Sequence, residues 1–167
     1  TRMAAAGFAP EDIDVVICSH LHIDHVGWNT QLHAGRWVPT FPNARYLFSA
    51  IERDYWDPQG QGARPTEAGA IVNTNVFEDS VQPLLDARIA ELVGEGYRVS
   101  ESITLRLGPG HTPGHLIMDV RSAGELLSRA CIGPRVELRT DPRVHLGRDR
   151  EALEDEHRRE MADRRHD

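Results

Sequence analysis

His20-Leu21-His22-Ile23-Asp24-His25 places three imidazoles and one carboxylate within six residues. Both groups are common protein ligands of zinc and similar divalent cations. In an extended loop, residues two apart point the same way, so His20 and His22 can grip one ion together. Asp24 and His25 then face a neighbouring position, which suits a second ion ~3.5–4 Å from the first. Two ions sharing a hydroxide, its pKa lowered to about 7, would supply a nucleophile and clamp the oxygens of the bond under attack. A second segment, Gly108-Pro109-Gly110-His111, brings another histidine to a glycine-rich strand exit. His111 is therefore a further candidate ligand.

The elements that must position these residues follow from the hydrophobic pattern. Arg2 to Ala6 reads as a short helix stopped by Gly7, and Pro10-Glu11-Asp12 as a helical turn. Ile13 to Cys18 is a β-branched run typical of a buried strand, and the histidine cluster leaves its C-terminal end, where sites of open α/β sheets sit. Arg36-Trp37-Val38 and Ala44 to Phe48 read as two strands around a turn, and Asp57 to Asn75 as a long loop able to cover a site. Ser80 is placed to cap a helix running to about Val93, with Val81, Leu84, Leu85, Ile89 and Leu92 inward. Ile103 to Leu107 and Leu116 to Arg121 alternate as strands, a turn lies at Ser122 to Glu125, and Leu126 to Ile132 can pair back.

The stretches SHLHIDHVGWN and GPGHTPGH resemble the HxHxDH signature and the next metal-binding segment of the metallo-β-lactamase superfamily. The FPNARYLF stretch and the spacing fit as well, over about Ala4 to Glu125, and the branch most resembled is that of acyl-homoserine-lactone lactonases. The resemblance implies an α/β protein, an αββα sandwich, with His20, His22 and His111 on a first metal. It places Asp24 and His25 on a second, with Asp24 also handling a proton. His115 matches a family histidine that is not a ligand and reads as a structural or supporting hydrogen-bond partner. The implied cofactor is one or two Zn2+, other divalent metals being compatible with the same ligands.

The family pattern also predicts features that this sequence does not carry. Strands preceding Thr1 are expected, which makes the copy incomplete at its N-terminus and leaves the Ile13–Cys18 strand with an uncovered edge and marginal folding. A Gly-Asp pair whose Asp bridges both metals is expected near Arg129-Ala130 and neither residue is present. A final ligand histidine lies further on, and nothing is carried onto His145, His157 or His166. From Asp141 to Asp167, 16 of 27 residues are charged, which reads as a solvated helix or disorder. The division expected is a partial hydrolase domain over 1–132 and a charged tail over 133–167. A frameshift or truncation near Glu125 would account for that change of character.

Other residues have plainer readings. Cys18 is a buried thiol ending a strand, Ser19 is discounted as a nucleophile because adjacent strand residues face opposite ways, and His33 is a solvated turn residue. Trp28, Trp37, Tyr46 and Trp56 are core or pocket walls. A net charge of −7 argues against nucleic-acid and anionic-membrane surfaces, and no apolar run reaches the ~20 residues of a bilayer span. Two cysteines suit a cytoplasmic, reducing location, although the start at Thr1 leaves a signal peptide open. All 19 basic residues are Arg, as in a GC-rich, bacterial genome.

Three functions follow from these features. The first is a hydrolase opening a lactone, ester or related carbonyl compound through a metal-activated hydroxide, with a small molecule as its only partner class. The second is a non-catalytic remnant holding at most one metal on His20, His22 and His111. The third is a thioesterase of the glyoxalase II kind.

Overall fold

The computed structural model describes residues 2–60, 73–122, 125–132 and 135–140. Its first elements are helix α1 (Arg2–Ala5), a 3-10 turn (Pro10–Asp12) and strand β1 (Val15–Ile17), followed by a helical turn, α2 (Ile23–Val26). A hairpin of β2 (Thr30–His33) and β3 (Arg36–Pro39) precedes β4 (Arg45–Ser49) and helix α3 (Ala50–Trp56). Short helices α4 (Val76–Ser80) and α5 (Gln82–Asp86) lead to β5 (Ala90–Val93). The remainder is β6 (Tyr97–Arg98), β7 (Ile103–Leu107), β8 (Leu116–Ser122), β9 (Glu125–Ile132) and β10 (Arg135–Thr140).

Two larger sheets and the two-stranded β2-β3 hairpin organise these strands. β1, β4 and β5 form a parallel sheet in the order β1-β4-β5, and β10-β9-β8-β7-β6 form an antiparallel one. β4 is central and buried on both faces, as parallel strands usually are. Its period-two alternation divides the core. Tyr46 and Phe48 pack with Val26, Trp56, Phe77, Val81 and Leu84 on the helix side. Leu47 points the other way and packs with Val93, Leu105 and Leu116, which joins the parallel sheet to the antiparallel one. The result is helices, sheet and sheet: three layers of the expected α/β sandwich. β1 pairs only with β4 among the described residues, so its other side is an edge.

Several expectations require correction. Arg36–Val38 and Ala44–Phe48 do form strands, but not a pair with each other. β3 pairs with β2 in the register Leu32↔Trp37, while β4 runs parallel to β1. His33, read as a turn residue, ends β2 and is exposed. The helix expected from Ser80 to Val93 is two short helices and a strand: Ile89 leads into β5, which pairs with β4 through Phe48↔Leu92. The spacing of Val81, Leu84 and Leu85 is helical, and Leu92 continues that period although Ala90–Val93 is a strand. Helix α3 has no counterpart in the sequence reading. Ser49 caps it by accepting from the backbone N–H groups of Ile51 and Glu52.

β9 pairs with β8 on either side of the expected turn, with Ser122 opposite Glu125. β10 then continues the sheet beyond position 132, where the tail is expected to begin. Residues 141–167, with His145, His157 and His166, lie outside the described residues, as does most of the expected 57–75 loop.

Candidate metal centre

The site is built where two strand exits meet. β1 delivers Cys18, Ser19 and His20 directly into the loop, and Cys18 N–H still donates to Leu47 O at 2.9 Å. β7 delivers Gly108 to His111, and the returning β8 begins at Leu116, whose N–H donates to Ser19 O at 2.7 Å. That backbone bond ties the two histidine-bearing segments together. The backbone bends at Ser19, His20 and His22, and Ile23–Val26 forms a helical turn with an extended His22 at its N-cap position. Asp24 and His25 are therefore placed by helix geometry, not by the alternation of an extended loop.

The imidazoles converge on His20, which is fully buried. Its ring centroid lies 4.8 Å from that of His22, 4.7 Å from His111 and 4.0 Å from His25. His22 Nδ1 and His111 Nε2 are 3.1 Å apart. Two groups of donor atoms come within 4.8 Å of one another: His20, His22 and His111, and His20, Asp24 and His25. The five expected residues are thus brought together, with one difference. His20 belongs to both triads, so the groups overlap.

His20 Nδ1 lies 3.1 Å from Ser19 Oγ. With Nδ1–H donating to the hydroxyl oxygen, Nε2 keeps its lone pair. That buried nitrogen has no hydrogen-bond partner among the described residues, a position of the kind that ligand coordination satisfies. Ser19 and His20 therefore do meet, against the expectation from strand alternation, but as an orienting contact. Burial, followed by the neighbouring His25, His22, His111 and His115, pulls the His20 pKa down to about 3. His22 is lowered in the same direction, first by burial and then by His111. Neutral imidazole is the form that binds a metal. The donor set fits one divalent cation on His20, His22 and His111.

The surroundings are tightly bonded. Glu52 on α3, a residue that sequence reasoning missed, is fully buried and accepts from Leu21 N–H, Trp56 Nε1–H and Gly114 N–H. The signal available for it was slight: an acidic residue three positions after a Ser cap, which by itself reads as helix capping. Asn73 accepts from Ile23 N–H at 3.1 Å and donates to Leu21 O at 2.8 Å, bracketing His22. Trp56 stands beside His22, ring centroids 5.1 Å apart. His115 is buried, with its centroid 5.2 Å from His20, and belongs to neither donor group. Cys18 is a buried thiol held by Asn29, and burial pushes its pKa up to about 11.

On β9, Arg129 and Ala130 pair in register with Met118 and Ile117 of β8. The bridging carboxylate expected there is absent from β9, whose residues after Glu125 include no Asp or Glu. No helix among the described residues is long and apolar enough to cross a membrane.

A family model described as the metallo-beta-lactamase superfamily matches residues 1–155, further than the Ala4–Glu125 span of the sequence resemblance. An N-acyl homoserine lactonase of Bacillus cereus is 27% identical over 129 residues, covering 76% of this chain and 41% of that protein. The N-acyl homoserine lactonase AttM of Rhizobium radiobacter is 27% identical over 125 residues, covering 72% and 40%. The chain thus spans about two fifths of the length of these curated relatives. Among solved structures, the hydrolase AbOPH of the beta lactamase superfamily superposes with a TM-score of 0.63 at 27% identity, covering 75% of this chain and 43% of that one. AidC, a dizinc quorum-quenching lactonase in complex with a product, superposes with a TM-score of 0.52 at 26% identity, with the same coverage.

Proposed function

The chain belongs to the metallo-β-lactamase superfamily, and from that premise we propose that it is a metal-dependent hydrolase of a lactone, ester or related small carbonyl compound. The observation that carries the reading is the convergence of His20, His22 and His111 from two loops on a buried, unpartnered His20 Nε2. The lactonase relatives support the substrate class. The proposed ion is zinc, which three neutral imidazoles hold well.

A bound ion would supply a Lewis acid for the carbonyl oxygen and lower the pKa of a water. The chain's own residues do the rest. Ser19 Oγ holds the Nδ1 edge of the His20 ring, and His22 and His111 complete the grip from separate segments. Trp56 closes one side of His22 against solvent. Asp24 is exposed on the first turn of α2, its Oδ2 3.4 Å from His25 Nε2. In this reading Asp24 carries a proton to the leaving oxygen, and Asp24 and His25 would hold a second ion.

One specific observation favours a second reading. β9 offers Arg129 and Ala130 where the family pattern expects a Gly-Asp pair, and among the described residues the second donor group is Asp24 and His25 with the shared His20. A one-metal protein without turnover is the corresponding alternative. A panel of lactones and esters, offered to the zinc-loaded chain and to His22→Ala, separates the two. Turnover by the first that the variant lacks supports the hydrolase; no turnover by either, with zinc still bound by the first, establishes the one-metal protein.

A further inference from the structure

Glu52 is a buried carboxylate at the junction of the two ligand-bearing loops. Its Oε2 accepts from Leu21 N–H at 3.1 Å and from Trp56 Nε1–H at 2.9 Å, and its Oε1 accepts from Gly114 N–H at 2.8 Å. Leu21 lies between His20 and His22, and Gly114 lies three residues after His111. One side chain therefore holds both loops. All three of these partners are N–H donors, and an ionised carboxylate is acceptor-only, so every bond is matched. A glutamine could not match them, because its NH2 would face either Gly114 N–H or the Leu21 and Trp56 donors.

The packing at this point is equally specific. A Cβ on Gly114 would lie 2.6 Å from Glu52 N and 2.6 Å from Ser49 Oγ, so only glycine lets the second loop seat on the start of α3. Burying a carboxylate is expensive, and a structural role alone is met as well by apolar side chains. What an apolar residue cannot do is bond two backbone amides from separate loops at one point.

We propose that Glu52 is a positioning residue of the metal site. Resting on the metal-binding reading above, it fixes the separation of the His20–His22 loop from the His111 loop so that their ring nitrogens meet one ion. It touches neither ion nor substrate. Supporting partners of metal ligands typically contribute 10–100-fold in affinity.

The test uses the full 167-residue chain and its Glu52→Gln variant. Zinc affinity is measured by competition with a chromophoric chelator, the visible spectrum is recorded with Co2+, and far-UV circular dichroism checks the fold. The expected result is a folded variant that binds zinc about 10–100-fold more weakly, with an altered Co2+ spectrum. A folded variant with wild-type affinity and spectrum overturns the proposal. Should the variant not fold, amide hydrogen exchange on the unmodified chain decides. Leu21 and Gly114 amides are expected to exchange slowly and through a common opening, and fast exchange of either in the folded protein overturns the bridge. An unmodified chain that binds no zinc refutes the metal reading and the positioning role with it, while protected amides would still show the bridge itself.

Discussion

Gly114→Ala isolates the seating of the second loop on α3. Gly114 is buried and its φ lies outside the left-handed region, so alanine meets no backbone strain. The whole effect is steric. The added Cβ would lie 2.6 Å from Glu52 N, 2.6 Å from Ser49 Oγ and 2.9 Å from Ile51 Cβ. None of the three can yield easily: the first is backbone, the second caps α3, and the third is fixed to the helix. Ordinary contact begins at 3.4 Å, so the loop must retreat by about 0.8 Å. Retreat along the Gly114–Glu52 bond stretches its 2.8 Å to about 3.6 Å, beyond hydrogen-bonding range. Losing a hydrogen bond to a charged group costs about 1.5–3 kcal/mol, and overpacking about 1–3 kcal/mol. The expected loss is thus about 2.5–6 kcal/mol, a large part of the ~5–15 kcal/mol that stabilises a typical domain. Urea unfolding of the metal-free protein reads it directly, and a melting temperature lower by about 10 °C should accompany it. A midpoint shift worth less than about 1 kcal/mol would refute the tight seating of this loop and the reasoning built on it.

Tyr46→Phe removes a buried hydroxyl that donates to Asn29 O and accepts from Phe41 N–H. Asn29 O keeps the Thr40 N–H at 3.0 Å, but Phe41 N–H is left unpaired, which should cost about 1–3 kcal/mol in urea unfolding, and a neutral substitution would contradict the assigned bonds. The metal-free protein should lose stability as the pH falls. His20 titrates near pH 3 in the folded chain and at its ordinary 6.5 when unfolded, so between those values only the unfolded state gains the proton. The His20 contribution is present above pH 6.5 and is lost progressively towards pH 3. Urea midpoints at pH 7.5 and 5 check this, and a midpoint that is flat or higher at pH 5 would count against the buried neutral imidazole.

The sequence displayed the candidate metal cluster because its residues are local: four of the five candidate ligands lie within six residues, and residue type alone carries their chemistry. The strands β1, β7 and β8 were equally legible from β-branched runs and alternation. Pairing was not. Arg36–Val38 and Ala44–Phe48 are close in sequence, yet β4 was claimed by β1 and β5, whose parallel contact leaves no mark in either segment. Ile89 and Leu92 continue a helical period by coincidence, and the bond between Tyr46 N–H and Ile89 O decided for a strand. Glu52 was hidden for a different reason. An acidic residue in a helix is ordinarily solvated, and only the arrival of Leu21 and Gly114, 31 and 62 residues away, makes it a buried clasp.

Zinc titration of the metal-free chain, followed calorimetrically, tests the central claim most directly. One equivalent is expected to bind tightly, with binding lost in His22→Ala and in His111→Ala and kept in His33→Ala, whose side chain is exposed at the end of β2. No binding by the unmodified chain, or binding that survives loss of His22 and His111, would contradict the site described.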